Sequence, residues 1–218
     1  MTCRPRAAAF LSGAAIVLTA AGAGAQTTPA ADQASAASAA PSWSGFASLF
    51  TYVVPDDQNF VQPTVGLDRD WLHLEVRFNY EDLDTASAWV GRNFSVGSNV
   101  TLEITPMAGV VFGQLNGGAV GYSGSLAWRR LDLTSETEYV FASDTADSFL
   151  YTWSELGWSL TDWLRAGLSV QRTKAYQTEF DIQRGFFGVV SVGPWELSTY
   201  VFNPDDDPTM VFGASLAF

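Results

Sequence analysis

The chain has 218 residues, 47% of them apolar, and a formal net charge of −12 with only 11 Lys and Arg. That balance argues against a nucleic-acid partner, which needs a basic surface, and the chain carries no Walker, Rossmann, zinc-finger or RNA-binding motif. Cys3 is the single cysteine, so a framework of disulfides is excluded.

Arg4 and Arg6 precede an apolar stretch at 7–21 (AAAFLSGAAIVLTAA) and then AGAGA, with Ala23 and Ala25 at small-residue positions. The apolar stretch is shorter than the ~20 residues a spanning helix needs. Residues 1–25 therefore read as a secretion signal peptide cleaved after Ala25. Cleavage removes Arg4, Arg6 and Cys3 and leaves a net charge near −14 with no thiol. Cys3 also lies too early to take a lipid, which needs a cysteine just after the apolar stretch. Residues 26–42 (QTTPAADQASAASAAPS) are Ala, Ser and Pro with little else. They lack the apolar content for a core and are expected to be a disordered leader, either a periplasmic tether or featureless.

From Trp43 onward no apolar run reaches membrane-helix length, and glycine and aromatics are spread throughout, which suits sheet. Period-2 segments separated by turn residues predict strands at 45–54, 59–67, 71–80, 84–96, 99–113, 118–128, 131–142, 148–160, 163–174, 179–191, 195–203 and 208–218. The count is twelve; ten is the alternative, because Pro63 interrupts the second segment. The third shows the pattern best. Leu72, Leu74, Val76, Phe78 and Tyr80 share one face, and His73, Glu75, Arg77 and Asn79 share the other. Further polar faces carry Glu103 between Thr101 and Thr105; Asp132, Thr134, Glu136 and Glu138; Arg165, Ser169 and Gln171; and Asp181 with Gln183.

Alternate connections differ in kind. One set is tight: 68–70, Gly97–Ser98, Arg129–Arg130, Thr161–Asp162 and Gly193–Pro194. The other is longer and acidic: PDDQ at 55–58, EDLD at 81–84, SDTAD at 143–147 and NPDDD at 203–207, none longer than about six residues. Trp71, Trp163 and Trp195 follow tight turns and Trp128 precedes one. Tyr52, Phe60, Tyr80, Phe141, Phe149, Tyr176 and Phe202 gather near the other set. Rings at both ends of the strands are expected to form two aromatic girdles. The last segment alternates without a break, with Met210, Phe212, Ala214, Leu216 and Phe218 on one parity.

An amphipathic strand ending on a carboxyl-terminal aromatic residue resembles the closing strand of bacterial outer-membrane β-barrels. The even strand count, the asymmetric turns and the girdles resemble the same class in general architecture, over residues 43–218. The resemblance implies a closed antiparallel transmembrane barrel in the bacterial outer membrane, in contact with its lipid. It also implies tight turns facing the periplasm, and recognition by the outer-membrane assembly machinery through the strand ending in Phe218. No specific family is matched, so no functional residue is carried over. The rival fold is a soluble exported sandwich or lipocalin-like carrier, in which the apolar parity faces inward.

Three functions follow. A twelve-stranded barrel is wider than the eight-stranded type that side chains fill, so the first is a small passive channel for small cations or polar solutes. Its candidate lumen-lining residues are His73, Glu75, Arg77, Glu103, Asp132, Glu136, Glu138, Arg165 and Asp181, acidic on balance and cation-preferring. The same charges close the lumen if they pair, Arg77 with Glu75 or Glu103 and Arg165 with Asp181 or Glu138. Residues 26–42 are the other candidate plug. The second function is a lipid-modifying enzyme. Outer-membrane phospholipase A is a twelve-stranded barrel with a serine and histidine on its lipid face, but His73 points inward here and that family's active-site segment is absent. Ser87 or Ser95 on the next strand are the candidate nucleophiles beside His73. The third is a structural or adhesive surface barrel, for which the outer connections are short. No catalytic residue, cofactor or metal is expected; the acidic turns at 57–59 and 205–207 lack calcium-loop spacing.

Overall fold

The computed structural model describes residues 42–143, 147–173, 182–205 and 207–218. The signal peptide and nearly all of the leader lie outside the described residues, as do Asp181 and Tyr176. Thirteen strand segments follow one another: β1 (Ser44–Val53), β2 (Phe60–Arg69), β3 (Leu72–Phe78), β4 (Thr85–Arg92), β5 (Phe94–Gly97), β6 (Val100–Gly113), β7 (Gly117–Trp128), β8 (Leu131–Ala142), β9 (Phe149–Ser159), β10 (Leu164–Arg172), β11 (Gln183–Val192), β12 (Trp195–Phe202) and β13 (Thr209–Ala217). Each pairs antiparallel with its chain neighbours, except that β4 and β5 both pair with β6 in one continuous register. They are one strand interrupted at Asn93, whose side-chain oxygen accepts from Thr105 Oγ1 at 2.7 Å. β13 returns to pair with β1, so the wall is a closed antiparallel barrel, twelve strands around.

Pro63 does not split β2. It stands opposite Leu49 of β1, and the pairing of β2 with β3 begins one residue later, at Thr64. Its missing N–H therefore costs no ladder bond on that side. Four of the five tight connections use residues of positive φ to reverse the chain, with φ of 55° at Asp70, 107° at Gly97, 56° at Arg129 and 61° at Gly193. The expected strand ends at 174 and 179 fall outside the described residues.

Parity decides which way each side chain faces. On β3, Leu74, Val76 and Phe78 are exposed on the outer wall, whereas His73, Glu75 and Arg77 are buried inside. The same division runs around the barrel, so an apolar belt faces outward on every strand. A belt of this extent far exceeds the few hundred Å² of apolar patch that a soluble monomer tolerates, and it suits lipid. The soluble-carrier alternative needs the opposite arrangement and is excluded. Trp43, Trp71, Trp128, Trp158, Trp163 and Trp195 are all exposed at the tight-turn end and form one girdle.

The expected second girdle is different. Phe141 is exposed, but Tyr52, Phe60, Tyr80, Phe149 and Phe202 are buried inside the barrel. Tyr52 and Phe60 stack at 4.5 Å. The physical reason is parity: Tyr52, Phe60, Phe149 and Phe202 share the inward face with the polar residues of their strands. Tyr80 is on the outward parity of β3, but Asn79 has a φ of 57°, which breaks the alternation and turns the ring inward. Bulky inward groups face glycine on the neighbouring strand. Phe46 is paired with Gly66, and a Cβ on Gly109 would come within 2.6 Å of the Trp89 ring.

Candidate functional site

The inner wall is organised around two arginines. Arg77, near the end of β3, is fully enclosed. Its Nε donates to Glu75 two residues earlier on the same face. Its terminal nitrogens reach across the lumen to Glu136 at 2.6 Å and Glu138 at 2.9 Å, both on β8. The guanidinium also lies over the rings of Tyr80 at 4.2 Å and Trp89 at 4.9 Å. Trp89 Nε1 donates to Ser87 Oγ at 2.9 Å and to Glu81 at 3.3 Å.

Glu81 sits in the connection between β3 and β4 with its side chain wholly buried. Burial pushes its carboxyl above the usual range, against the pull of Arg77 and of its hydrogen bonds.

Arg165, the second residue of β10, lies nearer the tight-turn end. Its Nε donates to Asp132 at 3.1 Å and its Nη1 to Glu155 at 2.7 Å. Glu155 also accepts from Trp153 Nε1 at 2.9 Å and from the Tyr200 hydroxyl at 2.8 Å. Every polar end in this group has a charged or hydrogen-bonding partner, which offsets the cost of enclosing it. Removing one member of a buried pair typically costs about 3–5 kcal/mol, because the other charge is stranded.

The structure places the sequence-derived candidates as follows. His73, Glu75, Arg77, Asp132, Glu136, Glu138 and Arg165 are buried inside the barrel. Glu103 is half-buried on the same wall and accepts from Ser125 at 3.4 Å; Asp181 lies outside the described residues. Two expected pairings differ. Arg77 takes Glu136 and Glu138 in addition to Glu75, and not Glu103, which sits lower on β6. Arg165 takes Asp132 and Glu155, and not Glu138. His73 is held at both ring nitrogens, Nδ1 by Asp68 at 2.9 Å and Nε2 by Glu75 at 3.2 Å. The hydroxyl of Ser87 serves Trp89, so the serine–histidine pairing considered for an enzyme is not formed there. Among the described residues no group of His, Cys, Asp or Glu is arranged to hold a metal ion.

Sequence reasoning missed Glu155, Glu81 and the lumen aromatics Trp153, Tyr151 and Tyr200. The available signal was parity, since Phe149, Tyr151, Trp153, Glu155 and Gly157 alternate on β9. The opposite face holds Leu150, Leu156 and Trp158, so both faces read as apolar. Beside Glu136 these rings line a small cavity that is partly open to solvent, with Phe50, Gln62 and Tyr80 on its other sides.

No family model matches the chain, and no curated protein matches it. Among solved structures, a KdgM porin superposes with a TM-score of 0.56 at 11% identity, covering 79% of this chain and 99% of that one. The KdgM porin in complex with disordered oligogalacturonate gives 0.54 at 12%, covering 80% and 99%. In architecture the chain is an outer-membrane β-barrel. Acinetobacter baumannii Omp33 matches at a TM-score of 0.46 and 11% identity, over 81% of this chain and 98% of that one. At such identities the likeness to KdgM is one of fold: a closed barrel with an apolar outer wall, of the kind that spans the bacterial outer membrane.

Proposed function

We propose that this outer-membrane barrel is a narrow passive channel that favours small cations. The observation that carries the reading is the charge balance of the enclosed wall. Glu75, Glu103, Asp132, Glu136, Glu138 and Glu155 face the lumen against Arg77, Arg165 and His73. A low-dielectric wall focuses that excess negative potential and draws cations in. The constriction consists of side chains, the two arginine clusters and the rings between them, so only small solutes fit. An oligogalacturonate, the ligand in one KdgM structure, is a polyanion and does not suit an acidic lumen.

The test is single-channel recording of the refolded chain in a planar bilayer under a salt gradient. Small conductance steps, with a reversal potential displaced toward that of the cation, are expected. Anion preference, or steps large enough to pass oligosaccharides, would overturn the proposal.

A second reading, a closed structural barrel, is favoured by the bridging of β3 to β8 through Arg77 and by the contact of Tyr80 with Tyr151 at 4.8 Å between ring centroids. It predicts a silent bilayer from a protein that still migrates as a heat-modifiable barrel. For assembly, the strand ending in Phe218 is the segment we propose the outer-membrane machinery engages; deleting Phe218 is expected to lower the yield of assembled barrel in cells.

A further inference from the structure

We propose that Arg69 of β2 and Arg92 of β4 form a clamp on the outer wall for the phosphate of an anionic membrane phospholipid. This goes beyond conduction, because the clamp stands on the lipid-facing side of the barrel and not in its lumen.

The register of three strands brings the two arginines together. Arg69 pairs with Leu72 of β3, and Leu72 pairs with Arg92 of β4. All three carry the outward parity of their strands, on which Leu67, Leu74 and Val90 are exposed. Neighbouring strands lie ~4.8 Å apart, so the row sets the two arginine backbones about 10 Å from each other with Leu72 between them. Both side chains are long enough to meet over Leu72 on one phosphate group.

Rings of the girdle hold the guanidinium groups at the membrane interface. Arg69 lies over Trp43 at 5.6 Å. Arg92 lies over Trp71 at 5.7 Å and over Phe94 at 5.2 Å. A guanidinium stacked on a ring keeps the donors at its edge available and is already ordered when a ligand arrives. Among the described residues neither arginine is ion-paired with a carboxylate, whereas Arg77, Arg165 and Arg184 are. Asp68, the acid before Arg69, is taken up by His73 and Asn93, from which it accepts at 2.9 and 2.6 Å. Asp70 in the adjoining turn is exposed to solvent.

Charge and the neighbouring wall identify the occupant. Arg129 lies over Trp128 at 5.0 Å farther round the same girdle, so this end of an acidic chain presents cations to the interface. The connections at the other end are acidic. Arginine forks bind phosphate oxygens in pairs. Beyond the clamp, Leu74, Val76 and Phe78 run along the exposed face of β3, with Val65 and Val90 on either side. They give acyl chains an apolar bed. A free anion would use the arginines and leave that bed empty, whereas a lipid uses both. Two guanidinium groups also repel the ammonium of a zwitterionic headgroup, so a headgroup of net negative charge is preferred.

The test is native mass spectrometry of the refolded full chain, released from an uncharged detergent after incubation with equal amounts of phosphatidylglycerol and phosphatidylethanolamine. Retention of phosphatidylglycerol is expected to exceed that of phosphatidylethanolamine by at least about fivefold. Arg69→Gln combined with Arg92→Gln should lower phosphatidylglycerol retention by about tenfold or more, since each arginine beside a lipid surface contributes about fivefold. Heat-modifiable migration confirms that the variant folds. Arg129→Gln combined with Arg130→Gln removes the same charge elsewhere on the girdle and should leave most of the retention. Four results would overturn the proposal: equal retention of the two lipids by the unaltered protein; a folded clamp variant that retains phosphatidylglycerol as the parent does; an equal loss in the Arg129 and Arg130 variant, which would mean that only net charge is read; or displacement of the lipid by an equal concentration of inorganic phosphate, which would make the clamp a simple anion site. Lipid retention is read whether or not the barrel conducts. A silent bilayer therefore leaves the clamp standing, and loss of lipid preference leaves the channel standing.

Discussion

Gly157 of β9 and Arg165 of β10 occupy one place on the inner wall: a Cβ on Gly157 would run into the Arg165 guanidinium and into the Asp132 carboxylate. The lower ion-pair cluster exists because this position has no side chain. Gly157→Ala is therefore expected to force the pair apart and to destabilise the barrel by about 1–3 kcal/mol, the usual cost of overpacking. Gly188→Ala is the control, since a Cβ there meets nothing within 4 Å. Urea unfolding midpoints of the two variants decide it, and equal midpoints would contradict the argument.

Arg77→Met strands Glu75, Glu136 and Glu138 without their shared cation. A loss of about 3–5 kcal/mol is expected, visible as a lower temperature for the heat-modifiable shift. Adding Glu136→Gln to Arg77→Met should recover part of the loss, because one of the stranded charges is then gone. A double variant no more stable than the single one would mean that the pairing contributes little.

Selectivity should follow the wall charges. Glu103→Gln combined with Glu136→Gln is expected to lower the cation-to-anion permeability ratio. Arg184→Gln should leave the ratio unchanged, since Arg184 is exposed and pairs with Asp205 at 2.9 Å outside the lumen. Permeability ratios from reversal potentials check both. An unchanged ratio in the double variant would remove the acidic wall as the cause of cation preference.

Glu81 gives a pH dependence of known sign. Burial raises its carboxyl above the usual 4.5, so the folded state holds this proton more tightly than the unfolded state. Stability from this group is fully present below about pH 4.5 and is lost as pH rises through the higher folded value. Each unit of such a shift is worth about 1.4 kcal/mol. Glu81→Gln keeps the acceptor for Trp89 and removes the charge. Unfolding midpoints of parent and variant across pH should converge in acid and separate toward neutrality, with the variant the more stable. Parallel curves would show that Glu81 does not titrate in this way.

Much of the architecture was legible because β-structure is written locally. Alternation on 72–78 and 131–142 set the faces of β3 and β8. Asp70, Gly97, Arg129 and Gly193 stand where the chain turns with positive φ. The uninterrupted alternation of 208–218 agrees with β13, which closes the barrel on β1, where Gly45 and Phe218 exchange backbone hydrogen bonds of 2.7 and 2.9 Å. The aromatic residues were less legible. Nearness to a turn suggested that Tyr52 and Phe202 were girdle residues, but their parity with Ser48 and Tyr200 carries them inside.

The sequence by itself determined that the chain is built of twelve or ten amphipathic strands, where its tight turns fall and which residues share a face, because a period of two and the conformational demands of turns act between neighbours in the chain. Only the tertiary structure decided which charges meet. Arg77 and Glu138 are 61 residues apart, and Glu155 and Tyr200 are 45 apart. Their contacts depend on the stagger that accumulates around the wall and on the width left between facing strands. A single residue of positive φ, Asn79, moves Tyr80 from the outer face to the lumen. Closure of the barrel is a global condition, and no local pattern contains it.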